Sequence, residues 1–461
     1  MSTVVVIGGG ISGLSAALHI SDLRPDVNLR LLEASDRLGG VIRTDRAGGW
    51  VCEAGPGAFV DRHPSTRRLV DRLHLAGDIV SPGNAIRRRY IRHEGVLHAF
   101  PDSPEALTQT GLMSKAGRLR MQFSPVLPPT EEDRTVSEFA AAHLGEEAAA
   151  ILVDPIVAGI YAGDPDQLSA RSVLPQLVAL ADKGGRVCDA LLGQGQGRLG
   201  KGSMVSLSGG LGSLVDALEV ELGQTIETNR RVTSLNPIEG AWQLELEDGE
   251  QFEADAIIFT AHGRAAKQLL GPIDPVLDAH LEEIPSAPVS VVNLGFAPGD
   301  VDHALDGFGY LIPGSEGGSV LGVKWTTSIF PQGRAPLGHT LMQVFVGGTR
   351  DPDIVKNAED TIAAARLELS QTLGITATPV HIRTFPHRVG ISQYTRGHAE
   401  RVDAIERALA KHPGLYLAGT SLHGVGINAC TTQSESVART VVRDLPAKAQ
   451  ASSLRIVRPG A

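Results

Sequence analysis

The sequence is poor in the residues from which disulfide frameworks, metal sites and membrane spans are built. Cysteine occurs three times in 461 residues, at Cys52, Cys188 and Cys430, and none of the spacings is that of a metal or redox pair. We therefore expect no metal, no disulfides and a reducing compartment, the cytoplasm. No apolar run approaches the roughly 18 residues of a membrane span. The first strand begins at Val4, which leaves no room for an N-terminal signal.

An excess of basic residues is also missing. The chain has 42 Lys and Arg against 52 Asp and Glu, a net charge of -10. Nucleic-acid binding requires a basic footprint for phosphate contacts, so we expect no nucleic-acid partner. Hydrophobic residues make up 42% and charged residues 20% of the chain, which is typical of a globular protein of two or three domains. Motifs for hydrolytic catalysis are absent too: no H-E-x-x-H occurs, and no Ser-His-Asp or Cys-His arrangement stands out.

The first forty residues contain the strongest functional pattern. Val4-Val5-Val6-Ile7 predicts a buried strand, Gly8-Gly9-Gly10-Ile11-Ser12-Gly13 follows, and Leu14 to Ile20 predicts a helix. A second strand, Leu29 to Leu32, ends on Glu33. This is G-x-G-x-x-G within a βαβ unit, with an acid twenty positions after the last glycine. The glycines permit close approach to a pyrophosphate at a helix N-terminus, and the acid can accept hydrogen bonds from a ribose hydroxyl.

This motif by itself leaves NAD(P) and FAD unresolved, and the next segment favours FAD. Arg37-Leu38-Gly39-Gly40 follows Glu33 closely, and a glycine pair there lets the backbone pass close to a cofactor. An ordinary hairpin turn is the structural alternative for this pair. Cys52 and its neighbours then predict a strand that enters the Gly/Pro turn Gly55-Pro56-Gly57-Ala58.

The middle of the chain changes character. Between residues 101 and 202 helix patterns dominate, including a capping box with Thr135 at the N-cap and Glu138 three residues on. Residues 193–202, rich in Gly and Gln, predict a mobile loop. The Gly-rich stretch 208–213 resembles a second phosphate loop, but no clear buried strand precedes it, so we discount it. Residues 253–261 predict one buried strand that ends on small residues.

The C-terminal part repeats a strand–glycine–helix unit. Residues 285–350 predict β-rich structure, and residues 414–420 a strand that reaches a glycine turn. Gly424-Val425-Gly426-Ile427-Asn428 follows, and then a helix from about Thr432 to Asp444, whose positive end near Gly426 would face a flavin ring. We therefore predict an α/β fold with a Rossmann-like FAD-binding domain assembled from both chain ends (1–85, 203–265 and 400–447). A helical domain (86–202) and an α+β substrate domain (266–399) are inserted, and a disordered tail (448–461) follows.

Several segments resemble the porphyrinogen-oxidising flavoenzymes, the proto- and coproporphyrinogen oxidases within the amine-oxidase-like flavoproteins. Residues 8–13 with 37–40 are shared with that whole superfamily. More specific are A-G-I-Y-A-G-D-P-D-Q-L-S at 158–169, T-S-I-F-P-Q-G-R-A-P at 327–336 with one extra residue, and Q-Y-T-R-G-H at 393–398. A-G-T-S at 418–421 with G-V-G-I-N at 424–428 resembles the motif that closes the flavin site. The resemblance covers nearly the whole chain in the right order.

The resemblance implies that the protein uses FAD to oxidise a porphyrinogen to the corresponding porphyrin in haem biosynthesis. The porphyrinogen would be protoporphyrinogen IX or coproporphyrinogen III. Six electrons would pass to O2 with formation of peroxide. Gly159 matches the glycine whose backbone lies near the reactive flavin edge, and it is the catalytic position we name. Together with the residue patterns, the resemblance assigns FAD contacts to Gly8, Gly9, Gly10, Ile11, Ser12, Gly13, Glu33, Ala34, Arg37, Gly39, Gly40, Gly55, Pro56, Gly57, Ala58, Val232, Thr420, Val425, Gly426 and Ile427.

The resemblance also suggests partners. The substrate's propionates require cations, for which we name Arg62, Arg89 of the basic run 87–89, Lys324 and Arg334. A solvated face is the alternative for the basic run. The helical insertion would be the family's membrane-associating domain, which predicts peripheral contact with the inner face of the membrane. A homodimer and the handover of porphyrin to a ferrochelatase complete the expected partners.

Other readings of the same cofactor domain stay open. One is a flavin amine oxidase or a carotenoid desaturase, although aromatic residues at 4% offer little for an amine-oxidase aromatic cage. Another is a non-catalytic flavin-binding protein, because Ser392 and Ala429 replace the family's usual Pro and Asp. His387 stands where bacterial relatives often have Trp, and Gly57 where plant members have an amide near the substrate.

Overall fold

A computed structural model of the chain describes residues 1–61, 63–83, 88–193 and 203–446. The described strands are β1 Thr3–Ile7, β2 Asn28–Leu32, β3 Thr44–Ala47, β4 Trp50–Glu53, β5 Phe59–Val60, β6 Ile79–Val80, β7 Arg88–His93, β8 Val96–Ala99, β9 Met204–Leu207, β10 Ile226–Glu227, β11 Val232–Ile238, β12 Ala241–Leu246, β13 Gln251–Ala254, β14 Ala256–Phe259, β15 Ser286–Phe296, β16 Gly307–Leu311, β17 Val320–Lys324, β18 Thr340–Gly347, β19 His381–Ser392 and β20 Leu415–Leu417.

The described α-helices are α1 Ile11–Leu23, α2 Pro64–Arg72, α3 Pro104–Gln109, α4 Lys115–Gln122, α5 Val136–Leu144, α6 Glu146–Ala148, α7 Asp154–Tyr161, α8 Ala170–Val173, α9 Pro175–Asp182, α10 Val187–Leu191, α11 Gly212–Leu222, α12 Gly263–Leu270, α13 Pro275–Glu282, α14 Thr326–Ile329, α15 Ala358–Leu373, α16 His398–Leu409 and α17 Ile427–Asp444. A π-helical turn, Ala149–Val153, joins α6 to α7. Short 3₁₀ turns complete the described elements.

A parallel five-stranded sheet is built from distant parts of the chain. Its order is β10-β2-β1-β14-β20, so strands from the N-terminus, the middle and the C-terminal end lie side by side. The central strands are apolar throughout because both faces of the sheet are covered, one by helices that include α1, α11 and α17 and the other by strands β11 to β13 together with α12, α13 and α16. Leu14 of α1 and Ala438 of α17 are fully buried in the core on one side. The Rossmann-like sheet assembled from both chain ends is therefore confirmed.

A mixed seven-stranded sheet carries the second layer of the fold. Its order is β19-β15-β18-β17-β16-β7-β8. The long strands β15, β18 and β19 pair antiparallel, and α15 packs on one face through Ala365 and Leu369 against Val292, Val344 and their neighbours. This arrangement leaves the opposite face of the sheet turned toward the first domain. The predicted β-rich character of residues 285–350 is confirmed.

The region between β8 and β9 is helical, as predicted, with α3 to α10 enclosing an apolar core of their own. The capping box at the start of α5 is present, since Thr135 accepts from the Glu138 amide and the Glu138 carboxylate accepts from the Thr135 amide. The predicted loop at 193–202 lies almost entirely outside the described residues. The tail after residue 446, Arg62 and Arg87 also lie outside the described residues.

The structure corrects two local predictions. Residues 253–261 do not form one strand: β13 ends at Ala254, and β14 begins at Ala256 in a different sheet. A strand does precede the second Gly-rich stretch, since β9 runs to Leu207 with antiparallel partners β5 and β6. The stretch still offers no open phosphate loop. Glu53 Oε1 and Thr44 Oγ1 already accept the amides of Leu211 and Gly212 at the start of α11.

Candidate active site

The carboxyl ends of the parallel strands meet at one edge of the sheet. Ile7 pairs with both Leu32 and Phe259, and Phe259 pairs in turn with Leu417. The segments that follow these four residues therefore emerge side by side. They include the glycine loop, Glu33 and the C-terminal glycine motif, as predicted. In open α/β sheets this edge is where ligands bind.

Glycine is found at residues 13 and 10 of the first loop for different structural reasons. A Cβ added to Gly13 would lie 1.9 Å from the carbonyl oxygen of Gly8 and 2.8 Å from Thr260 Oγ1. Only glycine fits there, because the start of α1 packs directly on the loop. A Cβ on Gly10 would meet nothing within 4 Å. Gly13 thus serves packing, whereas Gly10 faces open space.

That open space lies at the N-terminus of α1, where Gly10 is the N-cap and no side chain caps the helix. The first amides of an α-helix have no intrahelical partners, and the helix dipole makes this end positive. Together they form a site for an anion such as a pyrophosphate. The residues present fit the phosphates of a dinucleotide cofactor.

The Glu33 carboxylate is held in place by the backbone around it. Oε2 accepts a 2.7 Å hydrogen bond from the Gly9 amide, and Oε1 accepts from the Ser35 amide at 2.8 Å. A carboxylate has about four acceptor positions, so capacity for a ribose hydroxyl remains. The amide of Arg230 also donates to the Glu33 carbonyl, and this contact brings the start of β11, including buried Val232, alongside residues 33 and 34.

The predicted glycine pair lies on the first glycine loop. Gly39 and Gly40 both have positive φ, and the Gly39 amide donates to the Gly9 carbonyl at 2.8 Å. A Cβ on Gly40 would lie 3.4 Å from Gly10 Cα. The hairpin alternative is wrong, because the nearest hairpin joins β3 to β4 through Gly48 and Gly49. The neighbouring Arg37 donates to the Leu38 carbonyl.

Polar side chains of the second sheet contact the backbone just before residues 55–58, and among them the family resemblance singles out only His387. Asn293 of β15 donates to the Glu53 carbonyl at 3.0 Å, and Gln343 of β18 donates to the same oxygen at 2.9 Å. His387 Nε2 lies 2.7 Å from the Ala54 carbonyl oxygen, and burial lowers the pKa of this imidazole. Asn293 and Gln343 lie in the segment predicted to be β-rich, whereas His387 lies in β19, which the sequence patterns do not predict. Only contacts across more than 230 residues of chain reveal a role for them.

Three of the segments that carry the resemblance meet around Gln393 and Tyr394. Gln393 Nε2 donates to the Tyr161 carbonyl, and the Ser169 amide donates to the Tyr394 carbonyl at 2.8 Å. The Tyr394 hydroxyl donates to the Thr420 carbonyl and accepts from the Gly424 amide, both at 2.7 Å. The tyrosine is 1% exposed. Residues 158–169, 393–398 and 418–428 therefore form one continuous structure.

Helix α17 brings a second uncapped N-terminus to this structure. It begins at Ile427, five residues before the predicted start at Thr432, and its N-cap Gly426 supplies no side-chain cap. A Cβ on Gly426 would meet nothing within 4 Å. The Ser434 hydroxyl donates to the Ser12 carbonyl at 2.8 Å, which fixes α17 against α1. The predicted positive helix end near Gly426 is thus present.

Gly159 lies near the end of α7, where a tight contact explains the glycine. A Cβ there would lie 2.7 Å from Leu311 Cδ2. The first residue of the helix, Asp154, accepts from the Gly314 amide at 2.6 Å and from Arg350 at 3.0 Å. Helix α7 is therefore fastened to the end of β16 and the loop beyond it.

The three predicted propionate partners that the structure describes have different surroundings, and the fourth, Arg62, lies outside the described residues. Arg334 is 2% exposed and donates to the Ser206 hydroxyl and the Leu207 carbonyl, with NH1 3.7 Å from Glu53 Oε1. Its hydrogen bonds are internal and made by NH2, and NH1 forms none with the described residues. Arg89 is exposed with its guanidinium 4.7 Å from the Phe308 ring centre, and Lys324 is partly buried beside Gly57.

Comparisons with known proteins now identify the family. A family model described as flavin containing amine oxidoreductase matches residues 11–442. Coproporphyrinogen III oxidase of Bacillus subtilis (strain 168) is 33% identical over 457 residues, covering 94% of this chain and 96% of that protein. Protoporphyrinogen oxidase of Bos taurus is 31% identical, covering 96% of this chain and 99% of its own.

The chain belongs to the flavin-containing amine oxidoreductase family.

Solved structures agree with this assignment. A crystal structure from Exiguobacterium sp. 255-15, provisionally named a protoporphyrinogen oxidase, superposes with a TM-score of 0.85 at 27% identity, covering 96% of this chain and 99% of that one. Membership makes the protein an oxidoreductase with a flavin cofactor, FAD. The two uncapped helix ends and the glycines that face open space fit such a cofactor.

Proposed function

We propose that the protein oxidises a porphyrinogen to the corresponding porphyrin in haem biosynthesis. The observation that carries the proposal is the junction at Gln393 and Tyr394, which joins the segments most specific to the porphyrinogen-oxidising flavoenzymes. Relatives named as copro- and protoporphyrinogen oxidases, at 27–33% identity over most of the chain, support it.

In this reaction the chain's own residues bind the cofactor and position it. Bound FAD supplies the two-electron acceptor for three successive oxidations, with O2 as the final acceptor and peroxide as its product. The helix ends at Ile11 and Ile427 supply fixed positive dipoles, and residues 55–58 supply a wall held rigidly by the second sheet. The proposed cofactor contacts are the twenty positions named from the sequence, with Gly159 beside the reactive edge.

We extend the proposal to the domain organisation. The parallel sheet with its helices would bind FAD, the seven-stranded sheet would cover the substrate, and the helical segment would contact the membrane surface. Exposed apolar side chains support the last point, since Leu119, Phe123 and Val126 are 45%, 73% and 53% exposed beside the basic residues Lys115 and Arg118. Basic and apolar groups together are typical of interfacial binding. Among the described residues, no helix combines the length and apolar character needed to cross a bilayer.

Two further partners belong to the proposal, a second copy of the chain and a ferrochelatase that receives the porphyrin. Light scattering of the purified protein would test the dimer: a monomer at micromolar concentration would reject it. Sedimentation with anionic vesicles would test membrane contact, and Phe123→Ser should reduce the bound fraction. Transfer of newly formed porphyrin to a ferrochelatase, with and without a trap for free porphyrin, would test the handover.

The decisive experiment is anaerobic mixing of the FAD-loaded protein with protoporphyrinogen IX or coproporphyrinogen III. We expect bleaching of the flavin visible band, followed by porphyrin fluorescence when O2 is admitted. The faster substrate identifies the preference. A bound flavin that neither porphyrinogen reduces would reject the proposal. It would leave the amine oxidase, carotenoid desaturase and non-catalytic flavoprotein readings.

A further inference from the structure

A row of polar side chains crosses the face of the seven-stranded sheet that lies against residues 53–57. Asn293 of β15 pairs directly with Gln343 of β18, and Gln343 pairs with Lys324 of β17. Directly paired residues in antiparallel strands project from the same face. Asn293 and Gln343 both donate to the Glu53 carbonyl, which shows the direction in which the whole row points.

Lys324 is the one member of this row without a hydrogen-bond partner among the described residues. Its ammonium forms no hydrogen bond and no ion pair with any of them, and its nearest aromatic ring centre, that of Phe330, is 6.0 Å away. A cation in such surroundings is costly unless an acceptor satisfies its donors. Asn293 and Gln343, by contrast, are satisfied within the protein.

The carboxylate beside Lys324, that of Glu53, already has other partners. Glu53 accepts from the Leu211 amide and the Thr44 hydroxyl, both within 2.8 Å, and it faces Arg334. Glu53 and Arg334 are the charged groups that act on the lysine, and they oppose each other. Burial, the largest influence, lowers the pKa of Lys324 to about 8. The ammonium is therefore still largely present at neutral pH, and the carboxylate that acts on it, Glu53, also faces Arg334.

The Lys324 ammonium occupies the space beside Gly57 that a side chain at that position would need. A Cβ on Gly57 would lie 2.8 Å from Lys324 Nζ, so any side chain at residue 57 would compete with the lysine for the same space. The glycine belongs to the wall that we propose for the flavin and substrate. The ammonium thus lies directly against Gly57 in this wall.

We propose that Lys324 binds a carboxylate of the substrate and determines how strongly carboxylated porphyrins bind. The inference rests on the proposed function and singles out one of the four cations named from the sequence. Arg334 is bound internally, and Arg89 lies exposed on Phe308. Lys324 alone among the described candidates is partly buried and has no hydrogen-bond partner at all in the described part of the chain, whereas Arg334 lacks one only at NH1.

The test is a binding titration with FAD-loaded protein, followed by porphyrin fluorescence. The ligands are coproporphyrin III, protoporphyrin IX and the methyl ester of coproporphyrin III. Lys324→Met should weaken binding of the free acids about tenfold or more, the range of one charge-assisted hydrogen bond. It should leave the ester unchanged. Lys324→Arg should retain part of the affinity, and Lys356→Met, at an exposed lysine paired with Asp353, is the matched control.

The pH dependence gives a second readout. Free-acid binding to the wild type should fall as pH rises through about 8, because the ammonium loses its proton, and Lys324→Met should show no such fall. Equal affinities of wild type and variant for the free acids, or equal losses for acid and ester, would overturn the inference. So would an altered flavin spectrum or FAD affinity in Lys324→Met with unchanged porphyrin binding, which would place the lysine on the cofactor.

These measurements separate the inference from the proposed function. Porphyrin binding does not require turnover, so a wild type that binds coproporphyrin III through Lys324 but fails to oxidise the porphyrinogen would reject only the function. A wild type that turns over porphyrinogens, with a Lys324→Met variant of unchanged binding and KM, would reject only the inference.

Discussion

Gly13 and Gly10 lie three residues apart in the same loop, and the structure predicts opposite consequences for an added methyl group. In Gly13→Ala the new Cβ would begin 1.9 Å from the Gly8 carbonyl oxygen, whereas real contacts of this kind are at least 3.0 Å. The start of α1 must therefore move by about 1 Å or more. This displacement also strains the Thr260 hydroxyl, which donates to the carbonyls of Ile7 and Gly8.

The expected magnitude follows from these contacts. Overpacking costs about 1–3 kcal/mol, and a weakened buried hydrogen bond adds about 1 kcal/mol. For a chain of this length, 1 kcal/mol lowers Tm by roughly 1 °C, so we expect the Gly13→Ala apoprotein to unfold about 2–4 °C below the wild type. FAD affinity should fall by about 100-fold or more, since the shifted amides no longer meet the pyrophosphate. Gly13→Val, with two further methyl groups, should abolish FAD binding.

Gly10→Ala is the matched control. Its Cβ meets nothing within 4 Å, and its φ of -75° is one that alanine adopts freely. The apoprotein Tm should therefore be unchanged, while FAD affinity falls because the methyl group enters the space at the helix end. Differential scanning fluorimetry of apoprotein and FAD titration by flavin fluorescence measure both quantities. A Gly13→Ala variant with wild-type Tm and FAD affinity, or a Gly10→Ala apoprotein as unstable as Gly13→Ala, would refute the reasoning.

Three further predictions concern buried polar groups. Tyr394→Phe leaves a carbonyl and an amide of the C-terminal glycine motif without their partner, and we expect a loss of about 1–3 kcal/mol in denaturant unfolding and weaker FAD binding. Burial lowers the pKa of His398 to about 4. Its stability contribution is therefore complete above about pH 6.5 and is lost as pH falls toward 4, by up to about 3 kcal/mol. Unfolding of His398→Gln should show a flatter pH profile over that window. Arg334→Met leaves, of the described cations, only Lys324 to act on the buried Glu53 carboxylate, which should cost up to about 3–5 kcal/mol, and adding Glu53→Gln should recover part of the loss.

For each of these three predictions, one experimental outcome would contradict the reasoning. An equal unfolding midpoint for Tyr394→Phe would mean that water replaces the hydroxyl. Parallel pH profiles for wild type and His398→Gln would assign the acid sensitivity to other groups. Additive losses in the Arg334 and Glu53 double variant would show that the two side chains are not coupled.

Local chemistry made much of the fold predictable from sequence. The β1–glycine–α1 unit, the acid at position 33 and the capping box of α5 each depend on residues within about thirty positions of one another. Backbone sterics and hydrogen bonding at that range leave few alternatives. The same holds for the uncapped helix end at Gly426, although the helix begins five residues earlier than the apolar pattern indicated. Because its first turn is mixed in polarity, periodicity could not place that boundary.

The sequence by itself determined the cofactor class, the parallel sheet and the order of the segments that carry the family resemblance. Only the tertiary structure decided which polar groups are satisfied. Cross-strand register aligns Lys324 with Gln343 and Asn293, and it brings all three against a loop more than 230 residues earlier in the chain. It also turns Arg334 inward, where it donates to the Ser206 hydroxyl. Such pairings depend on how distant strands meet, and no local pattern encodes them because side-chain satisfaction is a property of the assembled interior.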